Sequence, residues 1–341
     1  MTTSLETRLP VTASASFSWY LRPRHPLLAR AAGLVDALTI AGPTGPTEMR
    51  GRRDAGFEMP LIFDGEGYAG KEVPPPREWA SLQRACGADR VLLPGVYAPW
   101  DRDELPNTHL LTSTVREQAE IARDLDAVLL LALDSRWVAR RTSSVLETLG
   151  QADVPTALVL ADPKDPLAIG GAVSGLRRLA RGLPDMMLLR SDHGSIGAVA
   201  FGAKHASIGL LTSTRHFVAR PMKAHRKRNT SARLFVRTLL DWFLAGDVAG
   251  WTAAGSNTFC YLGCCNGADL SRFLDEDLYV DATWHNLNAL ADFASLIHGV
   301  NAEDRGIEFL RACKDAAGRY GQAGFKGPAD PKAQLTGWAF I

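Results

Sequence analysis

The run Ala127-Val128-Leu129-Leu130-Leu131-Ala132-Leu133-Asp134 places seven apolar residues in succession and then a carboxylate. A strand with one face in water alternates apolar and polar side chains. A run that is apolar throughout is covered on both faces, as in parallel sheets flanked by helices. Moving outward, runs of the same kind stand at residues 60–63 and 90–93 before it and at 156–160, 186–189 and 206–211 after it. Most lie about 20 to 37 residues apart, the length of a strand, a loop, a helix and a loop. Between them, residues 78–86, 115–125, 167–181 and 196–204 carry apolar side chains three or four apart, which reads as crossover helices.

No Gly-x-x-x-x-Gly-Lys-Ser/Thr occurs anywhere. That favours a closed barrel over an open nucleotide-binding sheet. The expected fold is α/β, a (β/α)8 TIM-like barrel with an appended helical zinc-binding subdomain. Residues 1–230 hold most of the barrel, 231–320 a helical segment with a zinc knuckle completing it, and 321–341 an irregular tail pinned at its end. Within the second part, residues 231–244 read as a long helix, followed by helices at 283–298 and 302–320.

Composition sets the outer bounds. In 341 residues, 46% apolar and 22% charged, 38 Lys and Arg oppose 37 Asp and Glu, for a formal charge of +1. Neither an acidic solvating chain nor a uniformly basic nucleic-acid coat fits that balance, so a polyanion site must be local. No apolar run approaches the roughly 20 residues of a membrane helix, and the opening residues lack the order of a secretory signal, so a cytoplasmic protein with no membrane partner is expected.

In a barrel, chemistry collects at the carboxyl ends of the strands. After Phe63 come Asp64-Gly65-Glu66-Gly67-Tyr68, after Leu133 comes Asp134, after Ala161 comes Asp162, and after Arg190-Ser191 come Asp192-His193-Gly194. Converging carboxylates bind metals, accept paired N–H donors from a purine-like edge, or divide acid, base and nucleophile roles. For any one of them the competing reading is a loop aspartate capping the next helix. The glycines around Glu66 would let a planar ligand approach backbone, with Tyr68 to stack on it, unless they form only a turn.

Three of the five cysteines, Cys260, Cys264 and Cys265, lie within six residues. With His285 at a helix start they make the usual complement of a closed structural zinc site. Adjacent ligands at Cys264 and Cys265 strain that arrangement, which allows one of the four candidate ligands to be a bystander, and buried free thiols beside a core histidine are the alternative. From His193 to Leu240 there is no Asp or Glu, yet Arg215, Lys223, Arg226, Lys227 and Arg228 fall there among nine basic residues. Such a block suits a phosphate backbone, against the alternative of solvated loop charge.

Taken together, the strand ends and the cysteine pattern resemble the tRNA-guanine transglycosylase superfamily, including its paralogues that insert 7-deazaguanines into DNA. Asp64-Gly65-Glu66-Gly67-Tyr68 is similar to the family's Asp-Ser-Gly-Gly-Phe element, and the stretch from Asp126 to Asp134 to its Asp-Ile-Val-Met-x-x-Asp. Cys260 and Cys265 keep the outer spacing of the family's Cys-x-Cys-x-x-Cys, and His285-Asn286-Leu287 matches the helix start that follows it; Ser271-Arg272 is also similar. Two positions depart. Leu262 replaces the middle cysteine, with Cys264 offered instead, and Gly209 stands where the family's nucleophilic aspartate precedes Thr214-Arg215.

The resemblance implies structural zinc, a tRNA or DNA partner, a 7-deazaguanine-type base of the queuosine kind, and a homodimer or heteromeric partner. It also implies a reaction in which a carboxylate attacks the ribose anomeric carbon and expels guanine. In that scheme Asp192 substitutes for the missing nucleophile, Asp64 serves as general acid or base, and Asp134 grips the base edge, with Tyr68, Asp162 and Gly194 lining the base site. The competing function is a non-catalytic zinc-containing relative that binds nucleic acid or serves as a partner subunit, which Gly209 favours. A hydrolase built on His193-Gly194-Ser195 is the third reading, although His193 occupies the first glycine of a Gly-x-Ser-x-Gly elbow.

Overall fold

The computed structural model describes residues 16–100, 104–219 and 231–340. Nine parallel strands form its main sheet: β1 (Ser16–Leu21), β2 (Ala37–Ala41), β3 (Leu61–Asp64), β4 (Ala88–Arg90), β5 (Val96–Ala98), β6 (Leu129–Asp134), β7 (Thr156–Ala161), β8 (Met187–Ser191) and β9 (His205–Gly209). Their order is β4-β3-β2-β1-β9-β8-β7-β6-β5. The two ends of that order are consecutive in the chain. Between them Leu92 bridges Val128, with Leu93 N–H donating to the Val128 carbonyl and Val128 N–H to that of Val91. β4 and β5 are therefore two halves of one interrupted stave, and the sheet curls round as an α/β TIM-like barrel. Gln83, from the preceding helix Pro76–Ala85, fills the interruption by donating to the Leu92 carbonyl at 2.7 Å and accepting its N–H at 3.0 Å.

The quoted run shows why the strands are apolar on both sides. Leu129, Leu131 and Leu133 face the surrounding helices, while Val128, Leu130 and Ala132 belong to the lumen cluster with Ile62, Leu92, Val159 and Leu189. On the β1–β2–β9 side the lumen is polar. Ser18 lies 2.7 Å from Thr39 and 2.9 Å from His205, oxygen or nitrogen to hydroxyl.

Two expectations are corrected. The staves sought after residue 231 are instead β1 and β2 at the amino end, so the zinc segment does not complete the barrel. Residues 231–244 are not a helix but an antiparallel hairpin of β10 (Arg233–Val236) and β11 (Asp241–Leu244). Its side chains are buried on both faces, which erases the period that tells strand from helix. The helices Tyr279–His298 and Arg305–Ala317 lie close to where the sequence puts them. Residues 321–332 are irregular, and the short helix Ala333–Ala339 pins the tail through fully buried Trp338, stacked on Phe201. Among the described residues no helix is long and apolar enough to cross a membrane.

Candidate functional site

At the carboxyl end of the barrel, Asp64 ends β3 with no exposure to solvent. Tyr20 and Tyr68 donate their hydroxyls to its Oδ2 at 2.6 and 2.7 Å, and Glu66 N–H donates to Oδ1. Glu66 is held in a left-handed turn and accepts from Arg22 and, at 3.0 Å, from Arg190; Arg190 also donates to the Tyr68 hydroxyl and the Ser213 carbonyl. Two carboxylates thus meet two guanidiniums in a closed network. Burial pushes the Asp64 carboxyl up despite its three hydrogen bonds, and burial, then the Asp64 charge, keeps both phenols protonated as donors. Beyond β9 the chain crosses to β7, where Phe217 N–H donates to the Leu160 carbonyl. This lays the Phe217 ring edge-on against Tyr68 and Tyr97, at 5.1 and 5.4 Å, across the top of the lumen.

The other strand-end carboxylates have their own partners. Asp134 takes a two-pronged ion pair from Arg136, Asp162 accepts from Lys164 N–H, and Asp192 accepts through Oδ1 from Gly194 N–H and the Gln334 amide. All four accept the N–H two residues ahead, the turn-forming habit of aspartate. No hydrogen bond or ion pair among the described residues joins Asp64 to Asp134 or Asp192. Although burial opposes its charge, Asp192 is held below the usual carboxylate range by the His193 ring, then Gln334 and Gly194. Gly194 is buried at the head of the helix Gly194–Ala200. Ser195 is buried too and donates to the Ser207 carbonyl, so nothing presents it as a nucleophile.

Gly209 closes one question of space. A Cβ there would stand 1.9 Å from the Thr214 carbonyl oxygen, because the turn after β9 folds directly onto it. Nor is Arg215 a free phosphate contact. It lies 3.3 Å over the Trp242 ring, 8% exposed, and burial pulls its basicity down to about 9. Lys223, Arg226, Lys227 and Arg228 lie outside the described residues.

Cys260, Cys264, Cys265 and His285 come together with all four ligand atoms within 4.8 Å of one another. β12 (Phe259–Cys260) pairs with β13 (Ala268–Asp269), and the left-handed Asn266 and Gly267 turn the chain between them. Cys264 and Cys265 sulfurs are 3.6 Å apart, and His285 Nδ1 is 3.8 and 3.4 Å from them. A tetrahedral ion with metal–sulfur bonds of about 2.3 Å and a metal–nitrogen bond of about 2.0 Å needs edges of roughly 3.5 to 3.8 Å. Both adjacent cysteines therefore reach the centre. His285 Nε2 lies 3.1 Å from the Phe235 carbonyl, a bond that turns Nδ1 toward the thiols. Hydrogen bonds from Cys260 and Cys264, then His285, favour the thiolate at Cys265. The group can hold a metal ion.

No protein-family model and no curated protein matches the chain. Among solved structures, a xylose isomerase-like TIM barrel/4-hydroxyphenylpyruvate dioxygenase fusion protein is similar over 58% of this chain, at 16% identity and a TM-score of 0.37. The match covers 39% of that protein, so the chain spans less than half its length. The barrel itself rests on the strand order and register given above.

The sequence reading singled out Asp64 and Tyr68 but not Tyr20, Arg22, Arg190 or Phe217. One signal was present for Arg190, a cation directly at the end of the apolar run 186–189.

Proposed function

We propose that this chain is a zinc-bearing barrel of the tRNA-guanine transglycosylase type that binds a nucleic-acid strand at its barrel mouth, alone or beside a catalytic subunit, without the family's covalent step. The observation that carries this reading is the space at Gly209. The family's intermediate needs a carboxylate there, and a side chain at that position meets the Thr214 carbonyl. Asp64, similar to the family's strand-end aspartate, supports the same reading, since two tyrosines and Glu66 satisfy it below Phe217. What stays with the resemblance is the four-ligand centre, whose thiolate-rich donor set suits zinc, and the acid-free segment from His193 to Leu240.

One observation favours a second reading, base exchange through Asp192. That carboxyl is held ionised, and its hydrogen bonds fall on Oδ1, with Oδ2 unbonded among the described residues. A mobility-shift assay with labelled tRNA and duplex DNA, run beside an exchange assay with labelled guanine, separates the two. The first reading expects a salt-sensitive shift and no exchange. Exchange that disappears in Asp192→Asn establishes the second, and the absence of any shift at low salt removes the first.

A further inference from the structure

The opposite face of the barrel, where strands begin, holds a cavity of about 480 Å³ that plays no part in the reading above. We propose that it is an anion site for the phosphate group of a small phosphorylated molecule. Four cations and one carboxylate, exposed Glu303, line it; the cations are Arg177 and Arg181 from the helix Ala172–Gly182, Lys204 just ahead of β9, and Arg305 at the head of the helix Arg305–Ala317. Among the described residues none of the four has an ion-pair partner, and the Nε atoms of Arg177 and Arg305 are buried without a hydrogen bond.

The two helix arginines are four residues apart, a spacing at which like charges repel. They nevertheless converge on one ring, their guanidinium carbons 4.4 and 5.0 Å from the centre of Phe201. Burial, and then the charge of Arg181, pulls the basicity of Arg177 down. An arrangement of this kind has uncompensated positive charge that a dianion relieves, through charge-assisted bonds to planar guanidinium groups. The 13-residue helix starting at Arg305 adds the N–H groups of Gly306 and Ile307, which have no backbone partner among the described residues, and the positive end of its dipole. Gly306 makes that approach feasible, since a Cβ there would lie 2.9 Å from the Phe201 ring.

Shape selects the ligand class. Nucleic acid is held by cations strung along a surface, following its backbone. Here the cations surround a concavity larger than one phosphate, with apolar walls that include Ile307 and Leu310 to receive an organic remainder.

Inorganic pyrophosphate and glucose 6-phosphate are the probes, titrated into the full chain by calorimetry and thermal melting, with sodium chloride at matched ionic strength as reference. Saturable binding with a raised melting temperature is expected, weakened at least tenfold in the Arg181→Gln/Lys204→Gln variant. Each single substitution serves in its place if the double variant melts early. Responses equal to those of chloride, or undiminished in the variants, overturn the proposal. So does a duplex oligonucleotide that depends on Arg181 and Lys204 while the two small phosphates do not bind.

Discussion

A methyl group at position 209 would have to displace the Thr214 carbonyl or bend the end of β9. Overpacking of this kind costs about 1–3 kcal/mol. Gly209→Ala is therefore expected to lower the urea midpoint by that equivalent, and Gly209→Asp to lower it without creating base exchange. At Asp64, Tyr20→Phe removes one of two hydroxyl donors from a buried carboxyl, at a cost of about 1–3 kcal/mol measured in the same way. The sequence shows that position 209 lacks a carboxylate. It does not show that position 209 lacks room, because the obstructing carbonyl belongs to a turn five residues later. In the same way Asp64 stands out as a strand-end acid, whereas its partner Tyr20 lies 44 residues away on a stave that carries no obvious signal. The common behaviour of the four strand-end aspartates, each bonding the N–H two residues on, is the turn chemistry that competes with catalysis for this residue type.

Elements covered on both faces by apolar neighbours were the legible ones. β3 and β6 to β8 announce themselves through Leu, Val and Ile because their inner and outer side chains each meet a hydrophobic layer. β1 and β2 do not, since their inward positions are Ser18, Tyr20 and Thr39, which answer one another and His205 by hydrogen bonds. The hairpin of β10 and β11 is misread because two four-residue strands joined by four residues make a mostly apolar stretch as long as a helix, with no period to tell the two apart. The cysteine knuckle was legible as a ligand set, and its geometry depends on the Asn266–Gly267 turn and the Phe235 carbonyl behind His285. Chelation is expected to lower the melting temperature, with recovery on adding zinc and none on adding magnesium, followed by scanning fluorimetry. Cys265→Ser should melt early whether or not chelator is present.

Across the whole molecule, half-buried Asp165 and buried His205 set opposing dependences on pH. Asp165 is raised from 3.8 to about 7, by burial first and then by the Asp192 charge. Its share of stability is complete below pH 4 and is lost as pH climbs toward 7. His205, held neutral between Ser16 and Ser18, is lowered from 6.5 to about 3 by burial. Its share is complete above pH 6.5 and is lost as pH falls toward 3. Urea midpoints measured across this range should lose their downward slope in Asp165→Asn and their upward slope in His205→Gln. Salt dependence belongs to this scale too. If Lys223, Arg226, Lys227 and Arg228 each neutralise a phosphate, replacing all four should flatten the logarithmic salt plot for duplex binding by roughly 3 to 4 units. The seam of the ring has a consequence for how the chain is made. Ser16 meets His205 across 189 positions, so the first stave waits for a neighbour that is synthesised last. At about 5–20 residues per second that wait is on the order of 10 to 40 s. Throughout it the newborn amino-terminal strands offer a bare, adhesive border, and a transcript truncated before codon 209 would leave that border open for good.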